Sequence, residues 1–90
     1  MEATCKVRIV NVKGLHARPC HAVVSFALDF KSEFRVSSSE RQVNGRSILE
    51  LMTLSAPCDT ELTLWADGED AEALVEGVAA LVRAGFDELG

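Results

Sequence analysis

The sequence predicts an α+β fold in which three helices cover one face of a four-stranded antiparallel sheet. Four short segments alternate apolar and polar residues with the period of two that is typical of half-buried strands. Three further segments have helical apolar spacing or a helix-capping pattern, and the elements follow the order β-α-β-β-α-β-α. Amphipathic helices need a common apolar surface, and an antiparallel sheet with one polar face supplies it. The expected architecture is therefore a two-layer sandwich.

The first strand is expected over about residues 4–10, where apolar and polar side chains alternate. A turn then leads into a helix that begins near His16 and ends near Asp29. Pro19 suits the first turn of this helix, because the N–H that proline lacks would have no acceptor there. The apolar stripe of the helix consists of Cys20, Val23, Val24 and Ala27.

Two short strands are expected next, at residues 33–37 and 41–43. The segment Ser37-Ser38-Ser39-Glu40 between them is typical of a turn, so the two strands should form a hairpin. Asn44-Gly45 then predicts a further turn before the second helix.

The second helix is expected from Ser47 to about Ser55. Ser47 and Glu50 have the spacing of a capping box, in which each side chain binds an amide at the helix start. The helix carries more apolar residues than the single stripe that a core requires. We therefore expect some of them, above all Leu49 and Met52, to remain exposed as a docking patch for partners.

The fourth strand is expected at residues 61–66, and the last helix runs from about Ala71 to Phe86. The acidic loop at residues 67–70 between them offers helix-capping side chains. The apolar stripe of the last helix consists of Leu74, Val75, Val78, Leu81, Val82 and Phe86.

Composition limits the classes of function. With 90 residues the chain has room for one domain, expected to comprise residues 1–90. No apolar stretch approaches the ~18 residues of a membrane span, and the N-terminus lacks the layout of a signal peptide, so we expect a cytoplasmic protein that does not bind membranes. Three widely spaced cysteines favour reduced thiols over disulfides or zinc. These cysteines are Cys5, Cys20 and Cys58. We expect neither a metal nor a cofactor.

The net charge of −5 argues against a nucleic-acid partner. The charge is unevenly distributed, because residues 1–46 hold eight of the nine Lys and Arg, whereas residues 47–90 hold ten of the 14 Asp and Glu. We expect a basic face around the starts of the first two helices, which would attract an acidic protein partner. The basic residues assigned to that face are Lys6, Arg8, Lys13, Arg18, Arg41 and Arg46.

The segment Gly14-Leu15-His16-Ala17-Arg18-Pro19 is the densest group of polar residues. His16 lies at the expected helix N-terminus, where unpaired amides and the helix dipole favour an anion. Arg18 adds a guanidinium group suited to phosphate oxygens, and a neutral imidazole nitrogen is a nucleophile near pH 7. These residues fit reversible phosphoryl transfer to His16. The structural alternative is that His16 only caps the helix and Arg18 is a solvated charge.

The same six residues resemble the active-site signature of HPr, the histidine-containing phosphocarrier family of the bacterial phosphotransferase system. Asn11, the stretch at residues 44–52 and the loop at residues 67–71 extend the resemblance along nearly the whole chain. It implies an open-faced β-sandwich in which His16 accepts a phosphoryl group on Nδ1 from phosphorylated enzyme I. The carrier would then pass the group to a IIA-type domain.

The resemblance also implies roles for residues around His16. Arg18 and the backbone amides of Ala17 and Arg18 would stabilise the phosphoryl group. The carrier would act stoichiometrically, as a substrate of other enzymes rather than an enzyme itself, and we expect a monomer. Partners would bind across the first and second helices, and the expected contact residues are Leu15, Cys20, Ile48, Leu49 and Met52.

Ser47 has two interpretations. In many relatives the matching serine is phosphorylated for regulation by a dedicated kinase, HPr kinase/phosphorylase. As a helix cap, however, Ser47 already has a complete structural role, and Glu50 would repel a phosphate placed beside it. We favour the cap. Ser55 and Asp59 depart from the family pattern, because relatives often have glycine there.

The branch of the system stays open between sugar uptake and the nitrogen-related branch called NPr, which Asn44-Gly45 favours slightly. A rival function is a non-catalytic regulatory module that uses the same fold only to bind a partner. A third is a small-molecule-binding regulatory domain. Outside the motifs, His21 is expected to face solvent and Trp65 to pack across strands.

Overall fold

An antiparallel sheet forms one layer of the computed structural model, which describes residues 1–39 and 41–88. Its strands are β1 (Glu2–Arg8), β2 (Glu33–Ser38), β3 (Arg41–Asn44) and β4 (Glu61–Asp67). They lie in the order β1-β4-β2-β3, and every neighbouring pair is antiparallel. The last strand along the chain therefore joins the N-terminal strand to the β2–β3 hairpin.

Three helices form the second layer: α1 (Ala17–Ala27), α2 (Ile48–Met52) and α3 (Ala71–Arg83). A single left-handed turn at Gly85–Asp87 follows α3. The predicted α+β class and the order β-α-β-β-α-β-α are confirmed. Among the described helices none has the length and apolar character that crossing a membrane would require.

The core lies between the two layers. Alternate strand residues point into it, as a pleated sheet with one covered face requires; they are Val7, Phe34, Val36, Val43, Leu62, Leu64 and Ala66. The helix stripes meet them with Cys20, Val23, Ala27, Leu51, Leu74, Val75, Val78 and Val82. The intervening strand residues leave the other face of the sheet uncovered.

Several elements end a few residues from their predicted bounds. β1 begins and ends two residues before the predicted range of 4–10, although Ile9 remains buried and its amide donates to the Thr60 carbonyl at 2.9 Å. α1 ends at Ala27 rather than Asp29. α2 ends at Met52, and the chain then enters the left-handed region at Ser55. Of the predicted β2–β3 turn, Glu40 lies outside the described residues.

The end of α3 differs most from the prediction of a single helix reaching Phe86. The helix stops at Arg83, and Gly85, Phe86 and Asp87 have φ values of 66°, 56° and 61°. Left-handed backbone after a helix reverses the chain direction, and glycine is the usual residue to begin it. The reversal brings Glu88 against residues near the start of the chain.

Arg46 ties the start of α2 to the end of α1. Its guanidinium donates to the carbonyls of Ala27 at 3.1 Å, Phe30 at 2.8 Å and Ser32 at 2.7 Å. Carbonyls beyond a helix end lack partners within the helix, so one side chain satisfies three acceptors that would otherwise require water.

Asp70, which directly precedes α3, connects the start of that helix to the loop before β2. Its carboxylate accepts the Ser32 hydroxyl and the amides of Lys31 at 2.9 Å and Ser32 at 3.0 Å. These hydrogen bonds, that of the Ser32 hydroxyl first, lower the pKa of Asp70. Asp70 precedes α3 as predicted, but its side chain binds the loop before β2 and makes no bond to an amide of α3.

Candidate functional site

A tight turn between β1 and α1 is built by Asn11 and Gly14. The Asn11 carbonyl accepts the Gly14 amide at 3.1 Å, and the Asn11 side-chain Nδ2 donates to the Gly14 carbonyl at 2.8 Å. Asn11 is buried, and Gly14 has a φ of 70°, which glycine adopts without strain. This turn directs the chain into α1 at His16.

The loop after α2 packs against this turn. The Leu15 amide donates to the Ala56 carbonyl at 2.8 Å. A Cβ added at Gly14 would collide with that same carbonyl and lie 2.8 Å from the Pro57 Cα. Gly14 is thus required both by its backbone angle and by the close approach of the second loop.

Ser55 and Asp59, the two departures from the family pattern, lie in this loop. Both have left-handed backbone, with φ values of 48° and 78°. Residues with side chains therefore adopt here a conformation that glycine adopts most readily. Aspartate is among the residues that tolerate it best.

His16 occupies the N-cap position of α1. Its carbonyl accepts the Cys20 amide at 3.1 Å, but its side chain makes no capping hydrogen bond. The ring is 35% exposed, in a shallow depression lined by Lys13, Leu15, Ser55, Ala56 and Pro57. The His16 side chain therefore does not cap α1, although the residue occupies the N-cap position as expected.

Glu88 contacts the imidazole from the inner side. Nε2 of His16 lies 2.8 Å from one carboxylate oxygen, and Asn11 Nδ2 donates to the other at 2.9 Å. Burial opposes ionisation of this carboxyl and is the largest single effect, but the hydrogen bonds from Asn11 and His16 and the positive charge nearby together outweigh it. The pKa of Glu88 is lowered as a result, so the group is a carboxylate near neutral pH.

The other ring nitrogen is open. Because a carboxylate only accepts hydrogen bonds, the contact with Glu88 assigns the proton of the neutral ring to Nε2 and the lone pair to Nδ1. Within residues 1–39 and 41–88, Nδ1 has no hydrogen-bond partner. The arrangement presents an unprotonated nitrogen at the edge of the protein.

The surroundings of His16 suit an anion. Ala17 and Arg18 are the first two residues of α1, so their amides have no acceptor within the helix, and Pro19 has no amide hydrogen. The Arg18 side chain is exposed. Two amides without acceptors in the helix and the helix dipole would attract an anion to this position.

The basic face predicted around this site is smaller than expected. Lys13 and Arg18 lie beside His16, but the guanidinium of Arg46 is bound to backbone carbonyls. Lys6 and Arg8 lie on β1 with the side chains that alternate away from the core, and Arg8 pairs with acidic residues there. The prediction is wrong for these three residues.

An apolar patch on α2 consists of Leu49, which is 78% exposed, Met52, which is 41% exposed, and the half-buried Ile48. Leu15 and Cys20, which were also expected to contact partners, are instead only 5% and 0% exposed. The expectation for these two is wrong, because both point into the core. Burial raises the pKa of the Cys20 thiol to about 11.

Ser47 caps α2, as its Oγ accepts the Glu50 amide at 3.1 Å. The second half of the predicted capping box does not form. The Ser47 amide already donates to the Asn44 carbonyl at 3.1 Å, and the Glu50 carboxylate accepts the Asn44 amide at 3.0 Å instead. The Glu50 charge is thereby held close to the start of α2.

The other candidates have structural positions. His21 is exposed on α1, and Trp65 lies between Thr4 and Arg35 of the neighbouring strands. In the described part of the chain no group of three His, Cys, Asp or Glu side chains could hold a metal ion. Glu88, which binds the ring, was missed. The only sequence signal was Gly85, because a glycine can end a helix and turn the chain. It does not indicate which residue the following segment contacts.

Comparison with known proteins gives concordant matches. The family model for the PTS HPr component phosphorylation site matches residues 3–84. The chain is 40% identical over 76 residues to phosphocarrier protein HPr of Haemophilus influenzae, covering 84% of this chain and 89% of that protein. It is 35% identical over 83 residues to phosphocarrier protein NPr of Shewanella violacea, covering 92% and 91%.

The structure is also similar to a solved one. It matches the crystal structure of HPr-C-His from Thermoanaerobacter tengcongensis with a TM-score of 0.92 and 31% sequence identity. The match covers 98% of this chain and 99% of that chain. The β1–α1 turn and the loop after α2 therefore belong to a fold shared over its whole length.

The two demands on Gly14 can be separated by comparison with Gly85, whose φ of 66° is similar but whose added Cβ would meet only atoms at 3.6 Å and beyond. We expect Gly14→Ala to lower the free energy of unfolding by about 2–5 kcal/mol, from left-handed strain and overpacking together. Gly85→Ala should cost only about 1–2 kcal/mol, from strain alone. Urea denaturation measures both, and equal losses would contradict the close packing at Gly14.

Proposed function

The chain belongs to the HPr family of phosphocarriers of the phosphotransferase system, and from this we propose that His16 accepts a phosphoryl group on Nδ1. The donor is phosphorylated enzyme I and the acceptor is a IIA-type domain. The observation that carries the proposal is the state of the ring. Its Nε2 is bound by Glu88, while Nδ1 has no hydrogen-bond partner within residues 1–39 and 41–88, and the residue itself is the N-cap of α1.

The transfer step follows from this geometry. The Nδ1 lone pair forms a bond to phosphorus, and the bond from phosphorus to the donor nitrogen breaks, its electron pair returning to the donor. The proton on Nε2 stays on the ring. The amides of Ala17 and Arg18 and the Arg18 guanidinium bind the phosphoryl oxygens. The same steps in reverse deliver the group to the acceptor.

This chemistry makes the protein a carrier rather than an enzyme. His16 is itself the reacting group, and it returns to its starting state only when a second protein removes the phosphoryl group. We propose that residues 1–90 act as one monomeric domain in the cytoplasm, without a cofactor. A regulatory module that only binds a partner would have no use for an open Nδ1 beside unpaired amides.

The α2 patch supports docking of the two partners. Leu49 and Met52 expose apolar area next to α1, against which α2 packs. Burying a leucine side chain contributes about 1.5–3 kcal/mol. A partner that covers this patch while reaching His16 would gain both affinity and orientation.

The proposal stays at the level of a phosphocarrier of either branch. The two relatives named above are an HPr and an NPr with similar identity to this chain. Asn44-Gly45 favours the nitrogen-related branch, and the rate of transfer to purified IIA domains of the two branches would decide between them.

Incubation with enzyme I and phosphoenolpyruvate tests the carrier function. We expect the wild-type protein to gain the mass of one phosphoryl group in an acid-labile form, and His16→Ala to gain none. His21→Ala is the matched control, because His21 is an exposed histidine of the same helix, and it should be phosphorylated normally. Failure of the wild type with every enzyme I tried, or labelling that persists in His16→Ala, would contradict the proposal.

Docking can be tested by adding a charge to the α2 patch. We expect Leu49→Asp to raise the KM of enzyme I for this protein by roughly tenfold or more, since the apolar contact is lost, with kcat little changed. Ala80→Asp places the same charge on an exposed position of α3 and should leave KM unchanged. Equal KM values for the two variants would mean that the patch is not the docking surface.

Ser47 is expected to act as a cap rather than a regulatory site. Ser47→Ala should lower the free energy of unfolding by about 0.5–2 kcal/mol. HPr kinase/phosphorylase with ATP should modify the wild type weakly, because Glu50 repels the incoming phosphate. Glu50→Gln should then be modified more readily. Strong wild-type phosphorylation that Ser47→Ala abolishes would contradict this expectation.

A further inference from the structure

Two side chains, those of Glu88 and Asn11, form a hydrogen-bonded chain that ends at Nε2 of His16. Glu88 is only 13% exposed, and its two carboxylate oxygens bind Nε2 of His16 and Nδ2 of Asn11. Asn11 in turn bonds the Gly14 carbonyl. The three side chains come from the turn before α1, the cap of α1 and the segment after α3.

We propose that Glu88 is a positioning residue for phosphoryl transfer, which holds the His16 ring through Nε2 and stabilises the charge that the ring acquires when Nδ1 bonds phosphorus. The inference rests on the proposed function and deepens it. Glu88 faces the ring from the side opposite Nδ1, so it acts on the phosphoryl group only through His16.

The change in ring charge is the core of the argument. The neutral ring has a proton on Nε2 and a lone pair on Nδ1. When that lone pair bonds phosphorus and the Nε2 proton stays, the ring becomes cationic. Its hydrogen bond to Glu88 then becomes an ion pair, which is stronger than the bond made by the neutral ring. Glu88 therefore stabilises the phosphorylated state, and the transition state leading to it, more than the free state.

The structure holds this carboxylate in place at a conformational cost. Phe86 and Asp87, which precede Glu88, both have left-handed φ values, and residues with a Cβ adopt this region rarely. Such backbone persists where surrounding contacts hold it and clusters at functional sites. Here those contacts include the packing of Phe86 against the core and the hydrogen bonds of Glu88 to Asn11 and His16.

The ionisation of Glu88 agrees with this role. Burial raises its pKa, but the hydrogen bonds from Asn11 and His16, together with the positive charge nearby, lower it further than burial raises it. The carboxylate is thus available as an anion before the phosphoryl group arrives.

The decisive measurement is the equilibrium of phosphoryl transfer between enzyme I and this protein. It depends only on the free energies of the separate proteins, so a change in docking does not alter it. We expect Glu88→Gln, which keeps a hydrogen-bond acceptor but removes the charge, to shift this equilibrium roughly tenfold towards phosphorylated enzyme I. Glu88→Ala, which removes both, should shift it further.

Asp87→Asn is the matched control. It removes a neighbouring charge at an exposed position, and asparagine tolerates the left-handed backbone, so the equilibrium should not change. Nitrogen NMR of His16 gives a second readout: the wild type and Glu88→Gln should keep the Nε2 proton, whereas Glu88→Ala should show a larger share of the Nδ1–H tautomer.

The outcomes separate the two proposals. If the wild type is not phosphorylated at all, the proposed function fails. If the wild type is phosphorylated but Glu88→Gln has the same equilibrium, the role of Glu88 fails alone. A shift in the opposite direction would mean that the carboxylate mainly repels the phosphoryl group, and this too would overturn the inference. Circular dichroism checks that each variant is folded.

Discussion

The structure depends on the burial of one face of its sheet beneath three helices. After α1 the chain returns to the sheet in β2, and after α2 it returns in β4. These two strands are neighbours in the sheet, and β4 also pairs with β1. At one edge the segment before α1 and the loop after α2 are joined by three backbone hydrogen bonds, from Leu15 to Ala56 at 2.8 Å, from Asp59 to Ile9 at 2.6 Å and from Ile9 to Thr60 at 2.9 Å. His16, the proposed phosphoryl acceptor, therefore lies on a support assembled from two distant segments of the chain.

This support separates the two nitrogens of one ring. Nε2 contacts a largely buried carboxylate, whereas Nδ1 has no hydrogen-bond partner among the residues that the structure describes. A carrier has to release its phosphoryl group as readily as it accepts it, which requires a ring that neither moves nor changes its protonated nitrogen between partners. Histidine held at one nitrogen meets that requirement, whereas a freely rotating histidine would present either nitrogen to an incoming group.

Predictions from the sequence succeeded where neighbouring residues decide the outcome. The strand alternation, the start of α1 at His16 and the cap of α2 by Ser47 each depend on residues within a few positions. The predictions failed where the outcome depends on how deeply a side chain is buried or on a contact between residues far apart in the sequence. The resemblance places Leu15 among the partner contacts, but it does not reveal how deeply that side chain is covered. Glu88 is 72 residues from the ring it binds, and no local pattern specifies that contact.

The uncovered face of the sheet contains the only tryptophan of the chain. Trp65 lies between Thr4 and Arg35 on adjacent strands, and its indole donates to Glu2 at 3.1 Å. Its fluorescence reports on the integrity of the sheet from the layer opposite the helices. The molecule thus contains an optical probe of unfolding that is structurally separate from His16. Loss of tertiary structure can therefore be followed without a probe placed near the ring.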